Sequence, residues 1–454
     1  MKATIPACFK AYDIRGKVPD ELDEPMARRI GYGLATLLKM KKVVVGYDIR
    51  LTGLSLTKAL ITGLLQGGAE VLEKGICGTE EIYHAVFSME ESGVDGGVIV
   101  TASHNPADYN GMKIVTKGAR PLTDDSGLQE LGVFAGGDSE LIVSPAPEKR
   151  TKLADKGAYI DHLLGYVDVD TLTPLTIVAN CGNGCAGVVL KELAARLPFT
   201  FHILHERPDG TFPNGVPNPL LPDNREETAQ AVIAHKADLG IAWDGDFDRC
   251  FFWDEKGRFV EGYYLVALLA KEILKGSPGE KILHDPRLIW NTVEQVKDAA
   301  GIPVMTRTGH AFIKKRMREE RAIYGGEMSA HHYFRDFGYC DSGMIPWLLV
   351  ASLLGREKKP LSAFVADMIR AYPVSGEINS TVADADAAIE RIKARYSDGK
   401  MDFTDGVSIS YPAFRCNIRK SNTEPLLRLN VESRGDRALL QEKTAELIGL
   451  IRKG

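Results

Sequence analysis

Residues 43–48 read Val43-Val44-Val45-Gly46-Tyr47-Asp48, a β-branched apolar run that ends in a polar residue. Two later segments have the same form: residues 176–182 read Thr-Ile-Val-Ala-Asn-Cys-Gly, and residues 281–285 read Lys-Ile-Leu-His-Asp. A helical pattern follows each of the three segments. Short apolar strands that alternate with amphipathic helices predict parallel sheets covered by helices on both faces.

A second apolar strand follows each of these segments, at residues 96–100, 239–243 and 322–325, and leads directly into a polar loop. Open α/β sheets bind their ligands at the carboxyl ends of the strands. We therefore predict three related α/β domains with mixed, mostly parallel sheets, each contributing one such loop to a central cleft. One larger α/β domain with accessory pieces is the alternative.

The order of strand and helix patterns changes from residue 372 onward. It mixes helical patterns at 384–396 and 438–452 with strand patterns at 407–410 and 426–432, which predicts a small C-terminal α+β domain. A Pro-rich segment at 144–148 and the turn residues at 372–376 indicate linkers. The predicted domains are 1–147, 148–256, 257–371 and 372–454.

The composition excludes several classes of protein. The 454 residues carry a formal net charge of −5 at a pI near 6.1, without the basic stripe of a nucleic-acid-binding protein. No apolar run reaches membrane length, and the first residues lack the apolar core of a secretory signal. Seven scattered cysteines are typical of a reduced chain. We expect a cytoplasmic protein, monomeric or homodimeric, with no nucleic-acid or membrane partner.

The first polar loop reads Thr101-Ala102-Ser103-His104-Asn105-Pro106. A serine at the end of a strand, beside a histidine and before an Asn-Pro turn, is placed for solvent and ligand. Its hydroxyl becomes a nucleophile only with the help of a base or a metal. The alternative is a loop whose Ser and Asn side chains bond only their own backbone. The segment lacks the G-x-S-x-G pattern of α/β-hydrolases.

The second loop reads Asp244-Gly245-Asp246-Phe247-Asp248-Arg249. Its three carboxylates repel one another, and a hard divalent cation with oxygen ligands would offset that repulsion. An EF-hand matches poorly, because Arg249 stands where its glycine belongs. The D-x-D-x-[TV] pattern of haloacid-dehalogenase phosphatases, with Asp244 as nucleophile, fits only in part because Asp248 holds the fifth position. A solvated acidic turn is the remaining alternative.

The third loop reads Gly325-Gly326-Glu327-Met328-Ser329-Ala330-His331-His332. Its glycines allow a close approach of backbone to ligand. Its Glu, Ser and His side chains offer the acceptors and donors that a hydroxyl-rich ligand needs. Two adjacent histidines cannot share one helix face, so zinc is not expected and one of the pair is predicted to be structural.

The fourth segment reads Arg419-Lys420-Ser421-Asn422-Thr423-Glu424-Pro425, with Arg428 after it. Its guanidinium, ammonium, hydroxyl and amide groups indicate a phosphate clamp, since arginine binds phosphate through two parallel hydrogen bonds. A solvated basic turn is the alternative. Together, a serine, a carboxylate-held metal, a polyol-binding loop and a phosphate clamp indicate phosphoryl transfer on a phosphosugar.

These four motifs occur in the order that the α-D-phosphohexomutase superfamily has, and the chain resembles that superfamily over nearly its whole length. It is most similar to the bacterial phosphomannomutases of the GDP-mannose pathway. Residues 9–16 also resemble the opening motif of the family, and Asn110-Gly111-Met112-Lys113 resembles its lysine motif.

The resemblance implies roles for the matching residues. The implied catalytic residues, which carry the phosphoryl group or neutralise its oxygens, are Ser103, His104, Lys113, Arg15 and Arg249. The implied ligands of one Mg²⁺ per chain are Ser103, Asp244, Asp246 and Asp248. The residues implied to bind the substrate are Tyr12, Arg287, His310, Glu327, Ser329, His331, Arg419, Ser421, Asn422 and Thr423. The general base stays open between Lys113, Arg15 and His331.

Two positions depart from the pattern of the family. Arg287 stands where many relatives have a lysine. Ala330-His331-His332 stands where dual-specificity mannose/glucose enzymes often have glycine and a single histidine, and this favours a mannose-directed subgroup.

The reaction implied by the resemblance is the reversible interconversion of mannose 1-phosphate and mannose 6-phosphate. It would run through a phosphoserine enzyme and a 1,6-bisphosphate intermediate, with a sugar 1,6-bisphosphate as activator, and would feed GDP-mannose and polysaccharide synthesis. A phosphoglucomutase or a dual-specificity enzyme is the nearest alternative. A haloacid-dehalogenase-like sugar phosphatase and a non-catalytic sensor of sugar phosphates are more distant alternatives.

Overall fold

The computed structural model describes residues 5–142, 149–420 and 426–453. The described residues form two compact units, one made of those up to 259 together with 333–358, and the other made of 260–332 together with those from 359 onward. The borders of the units do not follow the predicted domain borders everywhere. Residues 333–358 lie inside the predicted third domain, 257–371, but belong to the first unit. The first predicted boundary, at 147, lies outside the described residues.

The N-terminal part of the first unit forms a seven-stranded mixed sheet with helices. Its elements are β1 (Ile14–Lys17), α1 (Glu24–Thr36), β2 (Lys42–Tyr47), α2 (Gly53–Gln66), β3 (Glu70–Ile76), α3 (Thr79–Ser88), β4 (Gly96–Val100), β5 (Tyr109–Thr116), β6 (Arg120–Pro121), α4 (Leu128–Ala135) and β7 (Arg150–Lys152). The strand order is β1-β5-β4-β2-β3-β7, with β6 beside β5. Strands β4, β2, β3 and β7 are parallel, whereas β5 is antiparallel to both neighbours β1 and β4.

The first unit continues with a second mixed sheet and a helical segment. Its elements are α5 (Gly157–Leu164), β8 (Thr176–Asn180), α6 (Ala186–Ala194), β9 (Thr200–Leu204), α7 (Glu226–His235), β10 (Leu239–Trp243), β11 (Cys250–Trp253) and β12 (Phe259–Val260). Strands β10, β8 and β9 are parallel, and β11 pairs antiparallel with β10.

The middle of the chain gives another set of elements. They are α8 (Gly262–Gly276), β13 (Lys281–His284), α9 (Trp290–Asp298), β14 (Ile302–Met305), α10 (His310–Glu320), β15 (Tyr324–Gly326), β16 (His332–Phe334), β17 (Cys340–Asp341), α11 (Ile345–Glu357) and α12 (Leu361–Ala371). Strand β13 pairs parallel with both β14 and β15.

The predicted repeat is confirmed by the order of the strands. Strand β2 lies between β3 and β4, β8 lies between β9 and β10, and β13 lies between β14 and β15. The three quoted segments thus occupy the same place in three sheets, and the polar loops follow the equivalent strands β4, β10 and β15. One larger α/β domain with accessory pieces is therefore not the architecture.

The C-terminal domain is an antiparallel sheet with two helices, as predicted. Its elements are β18 (Val374–Thr381), α13 (Ala385–Arg395), β19 (Lys400–Asp402), β20 (Val407–Ser410), β21 (Phe414–Lys420), β22 (Leu426–Ser433) and α14 (Arg437–Arg452). The strand order is β18-β22-β21-β20-β19, and every neighbouring pair is antiparallel. Inward-facing residues of the sheet and both helices form one apolar core.

Two buried charged residues fasten this C-terminal sheet to loop 285–290. Arg415, on β21, is 1% exposed and donates hydrogen bonds to the backbone carbonyls of this loop, including that of Arg287 at 2.8 Å. Glu432, on β22, accepts from the backbone N–H groups of Ile289 at 2.8 Å and Trp290 at 3.2 Å, at the start of α9. A carboxylate at a helix N-terminus satisfies N–H groups that have no partner within the helix.

A buried histidine lies in an aromatic cluster of the first unit. The ring of His84, on α3, packs against the rings of Phe87, His162 and Phe337 at centroid distances of 5.3, 5.1 and 6.4 Å. His84 is 6% exposed. Burial, with smaller contributions from His162 and Lys74, lowers the pKa of His84 to about 3.

We expect acid to weaken the fold through His84. The unfolded chain binds a proton below about pH 6.5, whereas folded His84 stays neutral down to a pKa of about 3. Stability therefore falls as the pH drops through this window and is unaffected above it, with a loss of about 2 kcal/mol near pH 5. Urea unfolding of a His84→Gln variant should show a loss between pH 8 and pH 5 that is smaller than that of the wild type by this amount.

The matched control for this prediction is Phe87→Leu, which disturbs the same cluster without removing a titratable group. It should lower the free energy of unfolding at both pH values and keep the full acid loss. An acid loss in His84→Gln equal to that of the wild type would contradict the prediction.

None of the helices in the described residues combines the length and the apolar character that crossing a membrane demands.

Candidate active site

Ser103 lies just beyond β4 and is 3% exposed. Its backbone has a φ of +48°, in the left-handed region that residues other than glycine rarely adopt. Its Oγ donates a hydrogen bond to Oδ2 of Asp244 at 2.6 Å and lies 3.0 Å from Nδ1 of His104. The structure thus brings the predicted serine loop and the predicted aspartate loop together.

Glycine at position 245 is needed for this approach. A Cβ atom there would lie 2.8 Å from the backbone oxygen of Ser103, closer than side chains are found. Gly245 therefore lets the aspartate loop lie directly against the serine loop.

Asp244, Asp246 and Asp248 are 0%, 0% and 1% exposed. Each offers one carboxylate oxygen, and these oxygens all lie within 4.8 Å of one another. Within the described parts of the chain, the Oδ1 atoms of Asp244 and Asp246 are buried without a hydrogen-bond partner. Buried polar atoms normally have partners, and convergent carboxylate oxygens are what Mg²⁺ binds. The three aspartates therefore fit the predicted metal site.

Lys113, on β5, lies against this cluster. Its Nζ is 2.7 Å from Oδ2 of Asp246 and 2.5 Å from Oδ2 of Asp248, and its side chain is 5% exposed. Burial alone would lower the pKa of Lys113, but the two aspartates raise it above its ordinary value. Burial alone would likewise raise the pKa of Asp246, but Lys113 and the hydrogen bonds lower it well below the ordinary value. The group is a buried network of opposite charges.

Arg249 joins Asp244 to His104. Its Nε and Nη2 lie 2.9 and 2.7 Å from Oδ2 of Asp244, and its Nη2 lies 2.5 Å from Nδ1 of His104. A guanidinium only donates hydrogen bonds, so Nδ1 of His104 accepts. Burial, followed by the charges of Arg249 and Arg15, lowers the pKa of His104 well below its ordinary value. His104 is therefore a neutral ring at neutral pH.

Arg15 lies on β1, which pairs with β5. It donates hydrogen bonds to Asp13, to the backbone oxygen of Ala102 and to Oδ1 of Asn105, each at 2.8 Å. The predicted cations Arg15, Lys113 and Arg249 therefore surround the loop of Ser103. Tyr12 precedes β1 and is half-buried.

Sequence reasoning missed Thr79, which contacts the same aspartate loop. Thr79 is the first residue of α3, and its hydroxyl donates to Oδ2 of Asp246. Its backbone N–H donates to the backbone oxygen of Asp246 at 3.0 Å. The available signal was its place just after β3, at the sheet edge where β2 and β4 also end.

The second unit brings Arg287, Glu327 and Ser329 together. One guanidinium nitrogen of Arg287 lies 2.8 Å from Asp285, 3.5 Å from Glu327 and 3.2 Å from the hydroxyl of Ser329. Glu327 is 3% exposed, and its Oε1 also accepts from the N–H of Gly309 at 3.1 Å. These groups offer both donors and acceptors for sugar hydroxyls.

The histidines of this unit differ in their surroundings. His332 is fully buried, and its Nδ1 lies 2.6 Å from the hydroxyl of Tyr324. Burial, followed by His331, lowers the pKa of His332 to about 3, which fits the predicted structural member of the pair. His331 is half-buried, and its backbone oxygen accepts from Glu327 at 2.9 Å. His310 begins α10, directly after the loop that holds Gly309.

Two arginines of the predicted phosphate clamp stand opposite each other on neighbouring strands. Arg419, on β21, pairs in register with Arg428, on β22. Each lies 3.2 Å from a different carboxylate oxygen of Glu377, and Arg287 lies 3.5 Å from the same carboxylate. Burial would raise the pKa of Glu377, but the three arginines lower it. Glu377 was not predicted, and Ser421, Asn422 and Thr423 lie outside the described residues.

Comparison with protein-family models gives matches along most of the chain. Three models described as alpha/beta/alpha domains I, II and III of phosphoglucomutase/phosphomannomutase match residues 6–131, 157–257 and 261–372. The model of the C-terminal domain of the same family matches residues 377–449.

Similar proteins and solved structures agree with these matches. A Salmonella typhimurium phosphomannomutase is 56% identical over 452 residues, covering 98% of each chain. A Xanthomonas campestris protein named phosphohexose mutases is 56% identical over 451 residues, covering 99% of this chain and all of the relative.

Two solved structures also have this fold. One, a phosphoglucomutase/phosphomannomutase family protein from Burkholderia thailandensis, has a TM-score of 0.86 at 30% identity and covers 98% of both chains. The other, an Aspergillus fumigatus N-acetylphosphoglucosamine mutase in complex with GlcNAc-6P and magnesium, has a TM-score of 0.61 at 15% identity and covers 99% and 96%.

Proposed function

Because the chain belongs to the phosphoglucomutase/phosphomannomutase family, and is thus a phosphohexomutase that transfers phosphate intramolecularly, we propose that it interconverts mannose 1-phosphate and mannose 6-phosphate. The observation that carries the proposal is the hydrogen bond of 2.6 Å between Ser103 Oγ and Asp244. It joins a candidate phosphoryl carrier to a carboxylate cluster that fits Mg²⁺. The phosphomannomutases of Salmonella and Escherichia coli, at 56% and 54% identity, support mannose as the sugar.

In the proposed cycle, phosphorylated Ser103 gives its phosphoryl group to the free hydroxyl of a hexose monophosphate. The bond between phosphorus and Ser103 Oγ breaks as a bond from phosphorus to the sugar oxygen forms. The sugar hydroxyl gives its proton to a base, and Ser103 Oγ takes up a proton and becomes a hydroxyl again. The resulting 1,6-bisphosphate reorients end over end without leaving the enzyme. Its other phosphoryl group is then transferred to Ser103, which restores the phosphorylated enzyme. Of the candidate bases Lys113, Arg15 and His331, the aspartates raise the pKa values of Lys113 and Arg15 and keep both charged. We therefore propose that His331 takes the proton, which the pH–rate profile of a His331 variant tests.

The charged residues of the first unit suit a phosphoryl group that carries negative charge on three oxygens. Arg15, Lys113 and Arg249 supply fixed positive charge around Ser103, and neutral His104 offers its second ring nitrogen as a donor. Bound to Asp244, Asp246 and Asp248, Mg²⁺ would add its charge to the same oxygens.

The residues of the second unit are proposed to bind the substrate. Glu327 and Ser329, with His310 and His331, would contact sugar hydroxyls, and Arg287 would hold Glu327 and Ser329 in place. Arg419, with Ser421, Asn422 and Thr423, would grip the phosphate that is not reacting. Since each phosphate of the bisphosphate must occupy that position in turn, the clamp should select for charge more than for ring stereochemistry.

Glucose phosphates are the alternative substrates. Mannose and glucose differ only at the 2-hydroxyl, and one hydroxyl gives modest discrimination unless a buried group binds it. The Xanthomonas relative is named for hexoses without a single sugar. We propose that mannose is preferred and that the product serves GDP-mannose synthesis in the cytoplasm. The seven buried free cysteines support a reducing compartment.

The test of this proposal is a coupled assay with Mg²⁺ and a trace of sugar 1,6-bisphosphate. It compares conversion of mannose 1-phosphate and glucose 1-phosphate to their 6-phosphates. We expect conversion of both, faster for mannose 1-phosphate, and its loss on chelation of the metal. Release of free phosphate without isomerisation would instead support a phosphatase that uses Asp244 as nucleophile.

We expect an Arg419→Met variant to bind phosphosugars weakly. A hydrogen bond between two charged groups contributes about 1.5–3 kcal/mol, so KM should rise roughly 10- to 100-fold while kcat changes less. Steady-state kinetics with mannose 1-phosphate measure both quantities. The control is Arg391→Met in the same domain, whose guanidinium contacts the backbone oxygens of Leu450 and Ile451 and whose loss should leave KM unchanged. Equal KM values for the two variants would remove Arg419 from the clamp.

A further inference from the structure

One arginine that the proposed cycle does not use makes unusually many contacts with the loop of Ser103. Arg50 follows β2 and is 3% exposed. Its Nη1 donates to the backbone oxygens of Pro106 at 2.6 Å and Tyr109 at 2.8 Å. Its Nη2 donates to those of Ser103 at 3.0 Å and Asn105 at 2.5 Å. One guanidinium thus binds four carbonyl groups of the segment that begins at the candidate phosphoryl carrier.

Asp48, which pairs with Arg50, is linked to the backbone N–H of Ser103 through Thr101. Asp48 is 1% exposed, and its Oδ1 accepts the backbone N–H of Arg50 at 2.9 Å. Its Oδ2 accepts the hydroxyl of Thr101 at 2.6 Å. The oxygen of that hydroxyl in turn accepts the backbone N–H of Ser103 at 2.9 Å. The N–H of Ser103 is therefore linked to Asp48 through Thr101, and its C=O is bound directly by Arg50.

These contacts coincide with a backbone conformation that serine does not favour. The φ of +48° at Ser103 is in the left-handed region, which a residue with a Cβ adopts only when its surroundings hold it there. In this conformation Ser103 Oγ reaches Asp244 at 2.6 Å. A peptide fixed on both sides has little freedom to return to a more favourable conformation.

We propose that Asp48 and Arg50 are positioning residues that hold the Ser103 peptide in its left-handed conformation, so that the hydroxyl stays at the aspartate cluster during phosphoryl transfer. The inference rests on the proposed function, since it assigns these residues to the step at Ser103. Neither residue needs to touch the substrate or the metal. Their effect is to keep Ser103 Oγ at the position and orientation that phosphoryl transfer requires.

The geometry requires arginine at position 50. A guanidinium is a flat fork whose terminal nitrogens can each bind two acceptors, as Arg50 does here. A lysine ammonium has three donors at one point, so it cannot bind four separated carbonyl groups. Arg50→Lys therefore keeps the positive charge and loses the geometry.

The experiment compares Arg50→Lys with Arg29→Lys in the full-length enzyme. Arg29 is a matched control, because its guanidinium also binds backbone oxygens outside the candidate site, those of Phe134 and Ala135 at the end of α4 and of Ser139 in the loop after it. We expect Arg50→Lys to lower kcat at least tenfold and to slow phosphorylation of the enzyme by a sugar 1,6-bisphosphate, followed by intact mass, by a similar factor. The KM for mannose 1-phosphate should stay within threefold of that of Arg29→Lys.

Two further variants keep the inference testable if Arg50→Lys does not fold. Thr101→Val removes the link from Asp48 to Ser103 while keeping the shape of the side chain, and it should lower kcat at unchanged KM. Asp48→Ala, which removes both acceptor oxygens, should also lower kcat, and adding Thr101→Val to Asp48→Ala should cause no further loss, because both changes break the same chain of hydrogen bonds. A kcat in all folded variants within twofold of that of Arg29→Lys overturns the inference. A wild-type enzyme without mutase activity would overturn the proposed function as well, so the two failures are distinguishable.

Discussion

A Ser103→Ala variant should lose mutase activity by roughly a thousandfold or more. The variant has no hydroxyl at the one position of the described chain where Asp244, His104 and the surrounding cations converge on a serine. Without it, the phosphoryl group cannot be carried between the two positions of the sugar. The coupled assay measures the loss, and intact mass after incubation with a sugar 1,6-bisphosphate should show no phosphorylated protein.

The control for this variant is Ser126→Ala, which removes an exposed serine hydroxyl of the same sheet domain. It should keep wild-type activity and still gain one phosphoryl group. Retention of near-full activity in Ser103→Ala would rule out the phosphoserine mechanism. A phosphorylated Ser103→Ala protein would place the carrier at another residue.

An Asp244→Asn variant should lose at least about a hundredfold in kcat, the loss typical for removal of one preorganised charge contact. Asp244 Oδ2 accepts from Ser103 at 2.6 Å and binds Arg249 at 2.7 Å, and its Oδ1 is one of the buried oxygens available to a cation. The amide of asparagine keeps the shape but removes the charge. The second readout is the thermal shift with Mg²⁺, which should raise the melting temperature of the wild type and leave that of the variant nearly unchanged.

Asp254→Asn is the matched control for a lost buried carboxylate. Asp254 is 2% exposed and is bound by the backbone and side chain of Arg258, in the turn after β11. Its replacement should lower the melting temperature but keep the shift produced by Mg²⁺. A full Mg²⁺ shift in Asp244→Asn would remove this residue from the metal site.

The sequence was informative wherever a local pattern carried the function. The strands before Ser103 and Asp244 could be located from their apolar runs, and their ends predicted which loops would meet. The rule that ligand sites lie at the carboxyl ends of strands places each loop at the edge of its own sheet, and the hydrogen bond from Ser103 to Asp244 shows that the two loops are in contact. The three related sheets were predicted separately, from the repeated alternation of apolar strands and amphipathic helices.

Contacts between distant segments could not be predicted in this way. Thr79, Arg50 and Glu377 carry no motif of their own, and each becomes visible only when the fold places it beside a loop far away in the chain. Thr79 and Asp246 are 167 positions apart. A residue at the start of a helix and an arginine are both common in any sequence. Their role becomes clear only from the residues that they contact in the fold.

The fastening of loop 285–290 by Arg415 and Glu432 limits how natural or laboratory recombination can exchange parts of this enzyme. A C-terminal domain inherited from another mutase would bring its own clamp arginines, but its sheet would meet an unfamiliar loop. The buried Arg415 and Glu432 would then lose partners that only the neighbouring segment supplies. A crossover that carries residues 281–290 along with the C-terminal domain keeps both sets of contacts. The segment that must be exchanged as one piece is therefore larger than the C-terminal domain, because it includes residues 281–290.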